Sequence, residues 1–133
     1  MNLKITYDLR KDYLYVLTTG EFDLISARDV FHQWVDEAKQ KGVKRILCDI
    51  TQVTGLDVDQ ASTATRFDIN SYIAEKIPSQ FRLAVLTKPN QISDDNFEEN
   101  VLINRGAHAK VTSDMKEALS WLEMSLNNEI KDT

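Results

Sequence analysis

With only four glycines and two prolines among 133 residues, the chain has little material for a phosphate-cradling loop or a flexible linker, and it contains no GxGxxG, GxxxxGK[ST] or GxSxG string. The lone cysteine, Cys48, rules out an internal disulfide, and it has no CxxC partner or neighbouring histidine to start a zinc site. No stretch approaches the roughly 18 consecutive apolar residues of a membrane span, so membrane insertion is not expected. Residues 1–13 lack the apolar core of a secretory signal, which makes a cytoplasmic location the expectation. Basic residues are outnumbered, 16 against 21 acidic, and a formal net charge of -5 leaves no electrostatic footprint for nucleic acid. The remaining balance, 42% hydrophobic and 28% charged, suits one folded core, expected over residues 1–126 with a flexible C-terminal tail at 127–133.

What is present is a regular succession of strand and helix signals. Residues 3–8 alternate apolar and polar, residues 13–18 are aromatic, leucine-rich and β-branched, and the short polar connector at 9–12 predicts an antiparallel hairpin with its first strand near an edge. Gly20 to Asp23 breaks that pattern. Ala27, Val30, Phe31, Trp34, Val35 and Ala38 then recur at helical spacing, with Asp23 or Ser26 as cap and Gly42 as stop. A third strand over 44–50 precedes a turn at Thr54 and Gly55. A second helix is expected from Asp57 or Asp59 up to Pro78, facing inward with Val58, Ala61, Ile69, Tyr72, Ile73 and Ile77. Residues 81–87 read as a fourth strand. A third helix starting at Ser93 should bury Phe97, Val101 and Leu102 before Arg105 and Gly106 end it. Residues 108–112 form a short last strand, and Ser113 with Asp114 caps a helix carrying Met115, Ala118, Leu119, Leu122 and Leu126 on one face. The order ββαβαβαβα predicts an α/β fold: a mixed sheet of about five strands with an N-terminal antiparallel hairpin, parallel thereafter, and four helices. Sites in such sheets lie at the carboxyl ends of the parallel strands, here the loops around 20–23, 49–59, 87–94 and 112–114.

The most chemically varied stretch runs through Asp49, Thr51, Thr54, Asp57 and Asp59. Converging carboxylates would hold a divalent cation or carry out acid–base work, but turns and helix caps use the same residues; the reading adopted is strand, turn and cap, with no metal and no cofactor. A phospho-acceptor receiver arrangement fails on topology, because the first strand ends in the single acid Asp8 and enters a hairpin instead of a crossover. His32 and His108 have no ligand partners nearby and read as surface or packing residues. Cys48, on an apolar strand, reads as a small buried hydrophobe. No catalytic residue is assigned and enzymatic activity is not expected. Arg105 complements the dipole at the end of the third helix, with anion binding as a secondary role. Trp34 and Trp121 read as core. Arg66 and Asp68 read as solvated-face residues, whereas Phe67, off the stripe of Ile69, Ile73 and Ile77, is expected to be exposed and to mark a contact surface.

Three strings, at 45–51 (Arg-Ile-Leu-Cys-Asp-Ile-Thr), 101–107 and 112–122, together with the hairpin, make residues 12–124 resemble the STAS-like superfamily of anti-sigma factor antagonists and sulfate-transporter regulatory domains, especially its small stand-alone SpoIIAA-like members. The resemblance implies a βα superhelix whose activity is binding another protein, sometimes controlled by serine phosphorylation. The Asp-Ser-Ser-Gly that such control requires falls on Asp57-Val-Asp-Gln60, which lacks serine and glycine, so a phosphate switch there is not expected. Asp59 supplies a fixed charge and is read as a helix cap, not as a phosphoserine mimic. The expected function is a non-enzymatic regulatory or scaffolding module that contacts a protein partner through Thr54, Asp57, Asp59, Ser62, Arg66 and Phe67. The alternative is a small-molecule or lipid-binding domain of Sec14-like type, which calls for an apolar pocket of roughly 300 Å³ or more between sheet and helices.

Overall fold

Alternation and the polar connector produce the expected hairpin. β1 (Leu3–Leu9) pairs antiparallel with β2 (Leu14–Glu21), Leu9 opposite Leu14 and Leu3 opposite Gly20. The computed structural model describes residues 2–93 and 95–132, apart from the side chains of 125–132. β2 runs on past residue 18 because Gly20 continues the pairing with a φ of +112°, where a Cβ would sit 2.1 Å from the Asn2 carbonyl oxygen. α1 (Leu24–Lys41) is capped by Asp23, whose carboxylate accepts from the Ser26 amide at 2.8 Å, and is stopped by Gly42 at φ +71°.

The end of the third strand and the start of the second helix move from their expected places. β3 (Arg45–Thr54) does not end at residue 50; Thr51, Val53 and Thr54 are good strand formers, and after a register shift Gln52, Val53 and Thr54 pair with Thr19, Gly20 and Glu21. Asp49 is therefore inside a strand. α2 (Thr63–Lys76) starts at neither Asp57 nor Asp59: Gln60 and Ala61 both donate to the Asp57 carbonyl in a turn, and Ser62 is the cap, accepting from the Thr65 amide at 3.1 Å. Val58 accordingly lies before the helix and is exposed, not inward.

β4 (Arg82–Leu86) follows, then a single 3-10 turn at Pro89–Gln91 and α3 (Phe97–Asn104). Ser93 does not cap α3, because its amide and hydroxyl are both taken by the Glu98 carboxylate, at 2.9 and 3.0 Å. Asn96 holds the cap position instead, in the left-handed region at φ 57°. β5 (His108–Thr112) precedes α4 (Met115–Asp132), where Asp114 accepts from the Lys116 amide at 2.9 Å. Leu126 and the expected tail at 127–133 lie outside the described side chains.

The five strands lie in the order β1-β2-β3-β4-β5, antiparallel only between β1 and β2. Because the order never reverses, the sheet has no switch-point crevice of the doubly wound kind. The pleat sends neighbouring side chains to opposite faces. Ile46, Cys48 and Leu83 meet Phe31, Trp34 and Val35 of α1, while Leu47, Ala84 and Leu86 meet Ala118 and Leu122 of α4. At the β5 edge the Val111 amide donates to Glu99 Oε1 at 2.9 Å, and Lys110 pairs with Glu117 at 3.0 Å. No helix among the described residues is long and apolar enough to cross a membrane.

Cys48 is buried, and burial pushes its thiol up to about 12 from an ordinary 9.0. The thiolate is the reactive form, so the native protein should alkylate with iodoacetamide at pH 8 at least tenfold more slowly than the protein in denaturant, as read by mass spectrometry. The fold favours the protonated thiol. Its stabilising contribution is complete below pH 9 and is lost as pH rises toward 12.

Candidate functional site

The chemistry of the molecule concentrates where β3 and β4 end. Arg66, Ile69 and Ile73 recur at helical spacing on the inward stripe of α2, so Arg66 is not a solvated-face residue; its side chain is 6% exposed. Its Nη1 donates to the Leu56 carbonyl at 2.6 Å, and its Nη2 donates to the Gln91 carbonyl at 2.5 Å and pairs with Glu98 Oε1 at 2.9 Å. Gln91, itself buried, donates to the carbonyls of Ile50 and Val53 at 3.0 and 3.1 Å and accepts from the Lys88 amide at 2.7 Å. Further out, Asp57 accepts from the Asn90 amide side chain at 2.9 Å, and the Val58 amide donates to the Asn90 carbonyl at 2.9 Å. The loop after β3 is thus fastened to the loop after β4 by a buried cation and two amide side chains.

What this fastening presents outward is a short ridge. Thr54, Val58, Asp59, Gln60 and Ser62 are exposed, and Phe67 follows one turn into α2 at 42% exposure. Asp57 is half-buried and serves the fastening. Phe67 is covered on one side by Arg105, whose guanidinium stands 5.0 Å from the ring centroid and pairs with Glu75 at 3.0 Å. An anion at Arg105 would compete with that exposed pair. Arg105 occupies the C-cap position of α3, as its place in the sequence suggested.

The acids do not gather. Asp49 receives the Tyr15 hydroxyl and, at 2.9 and 2.7 Å, the amide and hydroxyl of Thr51; Asp57 faces Asn90, and Asp59 is exposed. No group of three or more His, Cys, Asp or Glu that would hold a metal ion is present among the described residues. Burial, followed by the bond to Asp49, pushes the Tyr15 phenol up to about 12. His32 meets the Tyr72 hydroxyl through Nε2 at 2.5 Å, and His108 is exposed.

The serine motif also changes register. Residues 57–60 form the turn before α2 and not its first turn, so Asp59 is no helix cap, and the residue at the cap is a serine, Ser62. Ser62→Ala should cost about 1 kcal/mol through the lost cap bond, measured by urea unfolding, with no change in the helix's buried face. Gln91 and Glu98 escaped the sequence reading. The available signal was Arg66 on an apolar stripe, since a buried guanidinium demands a carboxylate and carbonyls from elsewhere in the chain.

Behind Arg66, between the sheet and the helices α1 and α2, lies an apolar cavity of about 120 Å³, bounded by Phe31, Ile50, Ile69, Ile73, Arg66 and Thr87 among others. This is less than half of the roughly 300 Å³ that marks the lower range of ligand pockets.

No protein-family model matches the chain, and no curated protein matches it significantly. Among the solved structures that resemble it, two are similar along nearly their whole lengths. An anti-sigma factor antagonist from Mycobacterium paratuberculosis superposes with a TM-score of 0.58 at 14% identity, covering 91% of this chain and 94% of its own. An uncharacterised protein from Shewanella loihica with a SpoIIAA-like fold gives 0.55 at 20% identity, covering 91% and 93%. The fold is SpoIIAA-like, in agreement with the strand and helix order read from the sequence.

Proposed function

We propose that this chain is a non-enzymatic regulatory module, working in the cytoplasm, that binds another protein through the ridge formed by the loop after β3 and the start of α2. The observation that carries the reading is the contrast across that loop. Its inner side is immobilised by Arg66, Gln91 and Asn90, while its outer side offers Val58, Asp59, Ser62 and, on α2, Phe67. A loop held in one conformation has little ordering entropy left to lose on binding. An apolar side chain in the loop and another on α2, together with hydroxyls and an acid, match the residue types of an interface core and its rim. The likeness to an anti-sigma factor antagonist supports the same class of activity.

Thr54, Asp59, Ser62 and Phe67 are the contact residues in this reading, joined by Val58. Asp57 and Arg66 hold the loop and do not touch the partner. No phosphate switch operates at residues 57–60, where no hydroxyl side chain is present. A Sec14-like lipid site is not adopted, because an acyl chain needs more room than 120 Å³.

The test is affinity capture from cells of the source organism with the wild-type chain and with the triple variant Val58→Ala, Asp59→Ala, Phe67→Ala, followed by calorimetry with the captured partner. All three side chains are exposed enough that stability should change little. Affinity should fall at least tenfold. A folded triple variant that retains its partner at undiminished affinity would sink the proposal.

A further inference from the structure

The 120 Å³ cavity has a wall that is not wholly apolar. Every nitrogen of the Arg66 guanidinium is engaged except Nε, which is buried and has no hydrogen-bond partner; the Thr87 hydroxyl, on the same cavity wall, is also buried without one. Thr87 follows Val85 on the sheet face opposite α4, the face that carries the cavity. Leaving two such groups unpaired in an apolar enclosure is unfavourable, and native interiors rarely tolerate it without a bound occupant.

We propose that this cavity binds a small, neutral, mostly apolar molecule with one acceptor oxygen, which takes the Arg66 Nε hydrogen and lies beside the Thr87 hydroxyl. The size follows from the volume: an apolar cavity of about 150 Å³ accepts benzene, so an occupant of this smaller one is no larger, with about five or six non-hydrogen atoms. Neutrality follows from Glu98, which already balances the Arg66 charge at 2.9 Å; a second anion in the same buried space would have no counter-charge. An acceptor atom is required because Nε can only donate, and a neutral oxygen supplies one. The rest of the molecule meets Phe31, Ile50, Ile69 and Ile73. This site shares Arg66 and Gln91 with the loop fastening but none of the contact residues Val58, Asp59, Ser62 and Phe67, so either proposal can fail without the other.

The experiment uses the full chain, labelled with nitrogen-15 and with carbon-13 methyl groups. Tetrahydrofuran, cyclopentanone and cyclopentane are titrated while the Arg66 Nε–Hε resonance and the Ile69 and Ile73 methyls are followed. Tetrahydrofuran and cyclopentanone should shift these signals saturably and bind about fivefold more tightly than cyclopentane, the difference made by one hydrogen bond. Thr87→Val should reduce that preference while still admitting cyclopentane. If Thr87→Val does not fold, the three-probe comparison on the wild-type chain decides alone. The proposal is overturned by cyclopentane binding as well as the oxygenated probes, by an absence of saturable shifts at millimolar concentration, or by a crystal soaked with cyclopentanone that shows only water in the cavity.

Discussion

Arg66→Ala should lower the free energy of unfolding by about 3–5 kcal/mol, the cost of leaving a buried partner charge and several buried acceptors uncompensated. The substitution strands Glu98 and frees the carbonyls of Leu56 and Gln91, which belong to the loops after β3 and β4. Both loops should loosen with it. Hydrogen exchange at residues 56–62 and 88–93 ought to accelerate beyond the change expected from global stability alone, because the fastening is local. The pair is not itself a large net source of stability, however. Replacing both charges at once, Arg66→Met with Glu98→Leu, should recover a substantial part of the loss in urea unfolding. The double variant should still show fast exchange at residues 56–62, since methionine cannot donate to the Leu56 carbonyl. An Arg66→Ala variant with wild-type stability and wild-type loop protection would refute this account of the site.

Phe31→Ala is the second large effect, again about 3–5 kcal/mol, read from the denaturation midpoint at an unchanged slope. Phe31 is 1% exposed at the meeting point of α1, α2 and the sheet. Its ring lies edge to face with Trp34 at 4.9 Å and with Tyr72 at 6.0 Å. It also borders the internal cavity, so the deleted ring would enlarge an existing void instead of leaving a closed one. Cost rises with residual cavity volume, which places the expected value toward the upper part of the range. Phe31→Leu, which retains most of the volume, should lose less than half as much.

The elements legible from the chain were those whose signal is local and repeated. The α1 stripe from Ala27 to Ala38 and its glycine stop were readable because every residue in that run agrees with its neighbours. The hairpin was readable for the same reason. The boundaries that moved were decided by specific contacts that residue preference does not encode. β3 continues to Thr54 because β2 offers Thr19 to Glu21 beside it, and α3 cannot begin at Ser93 because Glu98 claims that residue's donors. Between Asp57 and Ser62 three candidate caps compete within six residues, and local preference alone does not rank aspartate against serine.

The site divides along the same line. Phe67 departs from an apolar stripe, and that departure alone predicts its exposure. Arg66 lies on the stripe, but its charge invited a solvent-facing reading; the helical phase was the better guide, and the matching acid is 32 residues away in sequence, from 66 to 98. The carboxylates from Asp49 to Asp59 are near one another along the chain but serve separate hydrogen-bonding environments. The strand carries Asp49 toward Tyr15 and Thr51, whereas the turn carries Asp57 toward Asn90.

The Glu99 carboxylate at the β5 margin has a consequence for self-association. A terminal strand is a template on which another chain can lengthen the sheet, and outward amides are the teeth of that template. At Val111 the tooth is already engaged by a side chain of the same molecule, with Lys110 and Glu117 as a charged hem beside it. Any strand recruited there would have to break an internal bond and bring its own backbone past two acids and a lysine, so the molecule carries its own guard against growing into a fibril from that margin.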